Sequence, residues 1–285
     1  MWWAGCLNRH RMAVTSTFEA TAMILRTYTD EDVRLAVTWR EVMHDLPLAF
    51  ADMLAGKAAI QARQRIDCGN WKLSGMGALW ESRGIAGYKT YTSLAGQFNF
   101  LVNMFDLATG THHVMPAAEV TRCRTAAMTI WVAREIVNPG AKKLALFGLG
   151  VQGQAHLQAL QDILNFQEIA VVDTSDMSEK CRGLAKQHGI FIHQSTPGEA
   201  VTDADLVVTI TRSRQPVFDG AWLKPSASAS VCAVGTSLPG GSEIDASTRS
   251  RSQQVIVEWK PQSLVEAGEI VMGLTDKSLH PRPDQ

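Results

Sequence analysis

An α/β fold, in which a doubly wound parallel sheet follows a smaller α+β module, is predicted by three observations. The first is the stretch 143–173. An apolar run at 144–147, of strand length, meets Gly148-Leu149-Gly150-Val151-Gln152-Gly153. Ala155, Leu157, Leu160, Ile163 and Leu164 follow at helical spacing, and a second apolar run at 169–172 ends in Asp173. The second is the alternation beyond Asp173. Helical patterns near 178–188 and 197–202 alternate with short apolar runs at 190–193 and 205–211, and further strands are expected at 230–235 and 254–258. The third is the reverse pattern upstream, where residues 59–115 read as strand after strand broken only by turns.

The glycine turn assigns chemistry to the parallel sheet. Gly148 permits a tight turn, Gly150 lets the backbone come close to a pyrophosphate, and Gly153 lets helix and strand pack closely. Val151 and Gln152 open the helix, whose free N–H groups and positive dipole end face the same anion. Asp173 stands about twenty residues past Gly153, where an acid binds a ribose diol. Together these features predict a Rossmann-type domain that binds NAD. No arginine follows Asp173 at once to receive a 2′-phosphate, so NADH is expected over NADPH.

Composition narrows the class. At 285 residues the chain has room for two cores, and a net charge of −1 gives no reason to expect a nucleic-acid or membrane-surface partner. Cys6, Cys68, Cys123, Cys181 and Cys232 are odd in number and scattered without a C-x-x-C. That spacing predicts reduced thiols in a cytoplasmic protein and no metal site. No apolar run is long enough to span a membrane, and the first residues lack the pattern of a signal peptide. Residues 1–22 read as an appendage, with Met23 as an alternative start.

Taken in order, the upstream module opens with two capping boxes, Thr29 with Asp32 and Thr38 with Glu41. The second starts a helix whose Trp39, Val42, Leu46, Phe50 and Leu54 form one apolar stripe, ending near Gly56. Strands are expected in AAIQARQRI, KLSGMGALW, GIAGYKTYTS, FNFLVNMFD and THHVM. A helix is expected over 119–137, stopped by Asn138-Pro139-Gly140. Three basic residues stand among apolar neighbours: Arg63 (or Arg65, one alternation on), Lys89 and Arg124. Each alone fits a surface charge or structural ion pair. Together they fit a carboxylate, which a guanidinium binds with two parallel hydrogen bonds and a lysine attracts as a point charge.

These stretches resemble the ornithine cyclodeaminase/mu-crystallin family from about residue 23 to 270. The likeness is carried by Met76-Gly77-Ala78-Leu79-Trp80 running to Gly87-Tyr88-Lys89, by T-x-x-R-T-A-A at 121–127, and by G-L-G-V-Q-G-Q-A-H-L at 148–157. It continues in T-I-T at 209–211, A-V-G-T-S-L-P-G-G-S-E-I-D at 233–245 and V-E-A-G-E-I at 265–270. The resemblance implies a homodimer built through the N-terminal module, an NAD(P)-binding domain and an α-amino or α-imino acid substrate. The corresponding organisation is a substrate and dimerisation domain over 23–122, a cofactor domain over 123–270 and a short tail over 271–285. By position, Lys89 and Arg124 match the family's carboxylate-binding and catalytic residues, Arg63 its strand arginine, and Met76 a pocket residue. Thr209, Thr211, Val234 and Gly235 fall in its cofactor-binding stretches.

Two departures shape the functional expectation. Deaminating cyclases of the family carry an aspartate in the loop where this chain has Ser237, and a serine is not an ionised base near neutral pH. Members of the family usually run on past the E-A-G-[DE] stretch into a helix that returns to the N-terminal module, whereas His280-Pro281-Arg282-Pro283 is not expected to be helical, so either that closing helix is absent or the pocket is closed differently. The expected activity is therefore NAD(H)-linked reduction of α-imino acids. The alternatives are redox-neutral cyclodeamination of ornithine and a non-catalytic dinucleotide- or ligand-binding protein.

Overall fold

The computed structural model describes residues 24–94, 97–225, 229–235 and 240–279. Both expected capping boxes form. Thr29 caps α1 (Asp30–Ala36) and Thr38 caps α2 (Trp39–Leu54), each side chain accepting from the third helical amide while the acid there reaches back to the cap. The stripe on α2 works as a packing face only in part. Trp39 and Met43 reach the main core and Phe50 packs against Trp131 at a tilt, ring centres 5.3 Å apart, but Leu54 projects into solvent.

The N-terminal module is a seven-stranded sheet of β1 (Ile24–Thr27), β2 (Ala58–Ile60), β3 (Gln64–Cys68), β4 (Trp71–Trp80), β5 (Ile85–Leu94), β6 (Gln97–Asp106) and β7 (Thr111–Pro116). The order is β1-β7-β6-β5-β4-β2, with β3 also on β4. Two features differ from expectation. β1 has no periodic signal and gains its place by parallel pairing with β7. The single strand expected in AAIQARQRI is broken at residues 61–63. β2 pairs with the end of β4 and β3 with its start, so Arg63 lies in the break and not in a strand. A break of this kind frees a side chain from strand alternation and re-aims it.

The C-terminal half follows α3 (Ala118–Ile136). It holds β8 (Lys143–Phe147), α4 (Val151–Leu164), β9 (Glu168–Val172), α5 (Ser178–His188), β10 (Phe191–Gln194), α6 (Pro197–Val201), β11 (Leu206–Thr209) and β12 (Ser230–Ala233). The strands form one all-parallel sheet in the order β10-β9-β8-β11-β12. The chain leaves β8 in one direction for β9 and β10 and returns on its other side for β11, so the reversal lies between β8 and β11. Leu144, Leu146, Ile169, Val171, Leu206 and Val208 are sealed in its core with Ile130 and Ala133 of α3. The expected strand at 254–258 does not form. That segment runs without regular structure into α8 (Lys260–Glu266) and α9 (Gly268–Thr275), after the short α7 (Ala246–Ser250).

The expected boundary at 122/123 falls inside α3 and that at 270/271 inside α9, and both helices run through unbroken. Among the described residues no helix is long and apolar enough to cross a membrane.

Candidate active site between the two sheets

The glycine turn has the geometry its sequence predicts. Gly148 lies at φ +94°, where a side chain is strained, and an added Cβ would stand 2.8 Å from the carbonyl oxygen of Ile210. A Cβ on Gly153 would stand 1.9 Å from the carbonyl oxygen of Gly148, so helix and turn can meet only at glycine. A Cβ on Gly150, by contrast, would meet nothing within 4 Å among the described residues at the start of α4. Among the described residues no side chain caps that helix, which leaves its first amides for an anion. Val151 is exposed there, and the buried side-chain oxygen of Gln152 has no hydrogen-bond partner among the described residues. Asp173 follows the last residue of β9 and folds back on the turn. Its carboxylate accepts from the amide of Leu149 at 2.9 Å and from that of Ser175 at 3.1 Å. An open cradle with a carboxylate at the next strand tip fits a dinucleotide.

The second cluster is built by side chains. Met76 and Lys89 are direct cross-strand partners on β4 and β5, so they share a face of the sheet. The Lys89 ammonium donates to Thr121 Oγ1 at 2.7 Å, near the start of α3, and lies 4.7 Å from the centre of the Phe100 ring. Burial, then the charges of Arg124 and Arg63, push its pKa down to about 8. Arg124 lies three residues after Thr121 and hydrogen-bonds Glu258 at 2.8 Å. Arg63 donates to Glu266 at 3.0 Å, with Arg65 3.7 Å from the same carboxylate, while the buried Nε of Arg63 has no partner among the described residues. Arg63, Met76 and Arg124 line a cavity of roughly 810 Å³. Its other walls include α3 from Thr125 to Ile136, β12 with Val234, the segment 252–259, and α8 with the start of α9. A second hollow, of about 540 Å³, at the turn end of the N-terminal sheet gathers none of these residues.

The ornithine cyclodeaminase/mu-crystallin family model matches residues 27–281. The chain belongs to that family. Among curated relatives, the ketimine reductase mu-crystallin of Mus musculus is 30% identical over 177 residues, 61% of this chain and 55% of that protein. The Δ1-pyrroline-2-carboxylate/Δ1-piperideine-2-carboxylate reductase of Azospirillum brasilense is 29% identical over 179 residues, 61% of this chain and 56% of that protein. The matches thus take in little more than half the length of these relatives. Among solved structures, the "probable ornithine cyclodeaminase" of Bordetella pertussis Tohama I superposes with a TM-score of 0.85 at 36% identity, covering 90% of this chain and 82% of that one.

Within this member of the ornithine cyclodeaminase/mu-crystallin family, the expected site residues fall into three groups. Arg63, Met76, Arg124 and Val234 line the cavity, and Lys89, not itself a lining residue, is the cross-strand neighbour of Met76. Gly148, Gly150, Val151, Gln152, Gly153 and Asp173 form the cradle at the carboxyl ends of β8 and β9. Thr209, Thr211 and Gly235 turn inward instead, each donating to the buried carboxylate of Glu243. Ser237 lies outside the described residues. The reading of residues in sequence missed Glu243, Glu258 and Glu266. The first and last sit in the family stretches at 233–245 and 265–270, which was their only signal. Nothing in the sequence marks Glu258 as the partner of Arg124, 134 residues away.

Proposed function

We propose that this protein is an NAD(H)-dependent reductase of α-imino acids, acting on a C=N bond beside a carboxylate. One observation carries the reading: Arg63, Lys89 and Arg124 converge beside a cavity whose far wall is β12, the edge strand of a dinucleotide-type sheet. When bound, the cofactor supplies the hydride. Arg63 and Arg124 hold the substrate carboxylate, exchanging Glu266 and Glu258 for it, and the unpartnered Nε of Arg63 is a donor already in place. Lys89 holds the proton. With its pKa pushed down to about 8 it remains charged at neutral pH, yet releases a proton more readily than a free lysine, which suits delivery to the imine nitrogen. Hydride on carbon and proton on nitrogen give the amino acid. Asp173 takes the ribose diol and disfavours a 2′-phosphate, so NADH is the preferred form.

The same reading assigns residues 23–122 to substrate binding and dimer contact and 123–270 to the cofactor. We place the protein in the cytoplasm, where scattered thiols stay reduced. Two copies associate through the face of the N-terminal sheet that carries Trp71, Leu73, Leu79, Leu94 and Leu101, all exposed.

A second reading, redox-neutral cyclodeamination of ornithine, is favoured by the likeness to the Bordetella pertussis protein so described. NADH oxidation should be followed with pyrroline-2-carboxylate, piperideine-2-carboxylate, iminosuccinate, and pyruvate with amines. Turnover with at least one imine is expected. Steady release of ammonia and proline from ornithine with catalytic NAD⁺, and no imine-dependent oxidation of NADH, would replace the reductase reading with the second one.

A further inference from the structure

Glu243 carries a fully buried carboxylate, and among the described residues the groups that donate to its side chain are all neutral. One oxygen accepts from the Thr211 amide at 2.7 Å and the Thr211 hydroxyl at 2.6 Å. The other accepts from the Gly235 amide at 2.6 Å and the Thr209 hydroxyl at 3.1 Å. Four donors match the lone-pair sites of an ionised carboxylate. The residue's own amide donates to Glu269 of α9 at 3.0 Å, and its carbonyl accepts from Val217 at 2.9 Å. The packing leaves no slack, because a Cβ on Gly235 would stand 2.5 Å from the carboxylate and 2.3 Å from the carbonyl oxygen of Thr211. Burial pushes the acid up, and the hydrogen bonds from Thr211, Gly235 and Thr209 oppose that shift.

The place of this clamp gives it meaning. It ties the end of β11 to the end of β12, on the side of β8 away from Asp173. Asp173 marks the adenosine side of a dinucleotide laid across the sheet reversal, so the other half extends toward β11 and β12. Between Thr209 and Thr211 lies Ile210, whose carbonyl packs on Gly148, and next to Gly235 lies Val234, which lines the substrate cavity. The clamp therefore touches both the glycine turn and the cavity wall through single intervening residues.

We propose that Glu243 is a positioning residue, which draws the amides of Thr211 and Gly235 together and so shapes the wall that receives the nicotinamide half of the cofactor. The inference rests on the NAD(H) reading above. It predicts a split: loss of the clamp weakens whatever reaches β11 and β12, and spares what binds only at the glycine turn and Asp173.

ADP-ribose, which lacks nicotinamide, separates the two halves. Calorimetry of Glu243→Gln should show NADH binding weakened roughly ten- to hundredfold, since an amide leaves buried donors unanswered. ADP-ribose affinity should stay within about twofold of the unmodified protein, because the adenosine half keeps its contacts. Without nucleotide, amide hydrogen exchange at Thr211 and Gly235 should be slow in the unmodified protein and faster in the variant. Should Glu243→Gln fail to fold, Thr211→Val removes one donor and keeps the amide, and should give the same split at roughly two- to fivefold. Unchanged NADH affinity, or equal losses for NADH and ADP-ribose, overturns the positioning role. Failure of the unmodified protein to bind either nucleotide overturns the cofactor reading, and this one with it.

Discussion

The two sheets place their apolar residues differently. In the parallel sheet Leu144, Leu146, Ile169, Val171, Leu206 and Val208 are wholly inaccessible, because strands joined by crossovers are covered on both faces. In the N-terminal sheet Trp71 is 58% exposed, Leu73 46% and Leu79 45%. An antiparallel sheet needs only one covered face. Here that face carries Met76 and Lys89, while the other presents Trp71, Leu73, Leu79, Leu94 and Leu101. The sites differ in the same sense. The parallel half makes its cradle from backbone at Gly148, Gly150 and Gly153, whereas the cluster beside the N-terminal sheet is made of long cations, Arg63, Lys89 and Arg124, that several elements must aim. A half closed on itself can carry a backbone-built site. A half that leaves one face open relies on neighbouring elements for its geometry.

The largest effect should come from breaking the backbone-built site. Gly153→Val places a Cβ where the Gly148 carbonyl already stands at 1.9 Å, and neither backbone can yield without moving the turn. NADH binding, measured by calorimetry, should weaken by roughly a hundredfold or more, with stability lowered by about 1–3 kcal/mol. Retained affinity would mean that the turn does not hold the pyrophosphate.

Next comes the side-chain grip. Arg124→Ala should lower kcat/KM by roughly 2–4 kcal/mol of transition-state stabilisation, because the substrate carboxylate loses a charged donor. NADH affinity should hardly move. A near-normal kcat/KM would reduce Arg124 to a partner of Glu258.

The open face offers a third contrast. Leu73→Glu combined with Leu101→Glu should weaken self-association on the order of ten- to a hundredfold, read by light scattering across a dilution series. NADH binding to the parallel half should persist. A mass that does not change with these substitutions would remove this face from the contact.

The smallest effect is one of pH. Burial, then Arg124 and Arg63, hold Lys89 down to about 8, and Glu258 opposes them. Imine reduction consumes a proton from the charged form, so kcat/KM should fall as pH rises through about 8. Glu258→Gln removes a charge that favours the ammonium, and the falling limb should move to lower pH by roughly a few tenths of a unit. A shift to higher pH would show that Glu258 is not felt at Lys89.

What the sequence by itself determined was local. Capping boxes at Thr29 and Thr38 depend on residues three apart, strand alternation on neighbours two apart, and the glycine turn with Asp173 on a single strand–helix–strand unit. Such features are set by short-range sterics and hydrogen bonding, so they survive reading in one dimension. Tertiary structure alone decided the rest. It broke the run at 61–63 to free Arg63, left 254–258 without a strand, and gave β1 a partner in β7. It brought Glu258 to Arg124 and Glu266 to Arg63, pairs 134 and 203 residues apart. It also placed the Glu243 carboxylate against Thr209, Thr211 and Gly235, residues that the resemblance puts in cofactor-binding stretches. A charged side chain carries no periodic signal of its partner. Which cation it meets, and whether burial moves its pKa, follows from the packing of elements far apart in the chain.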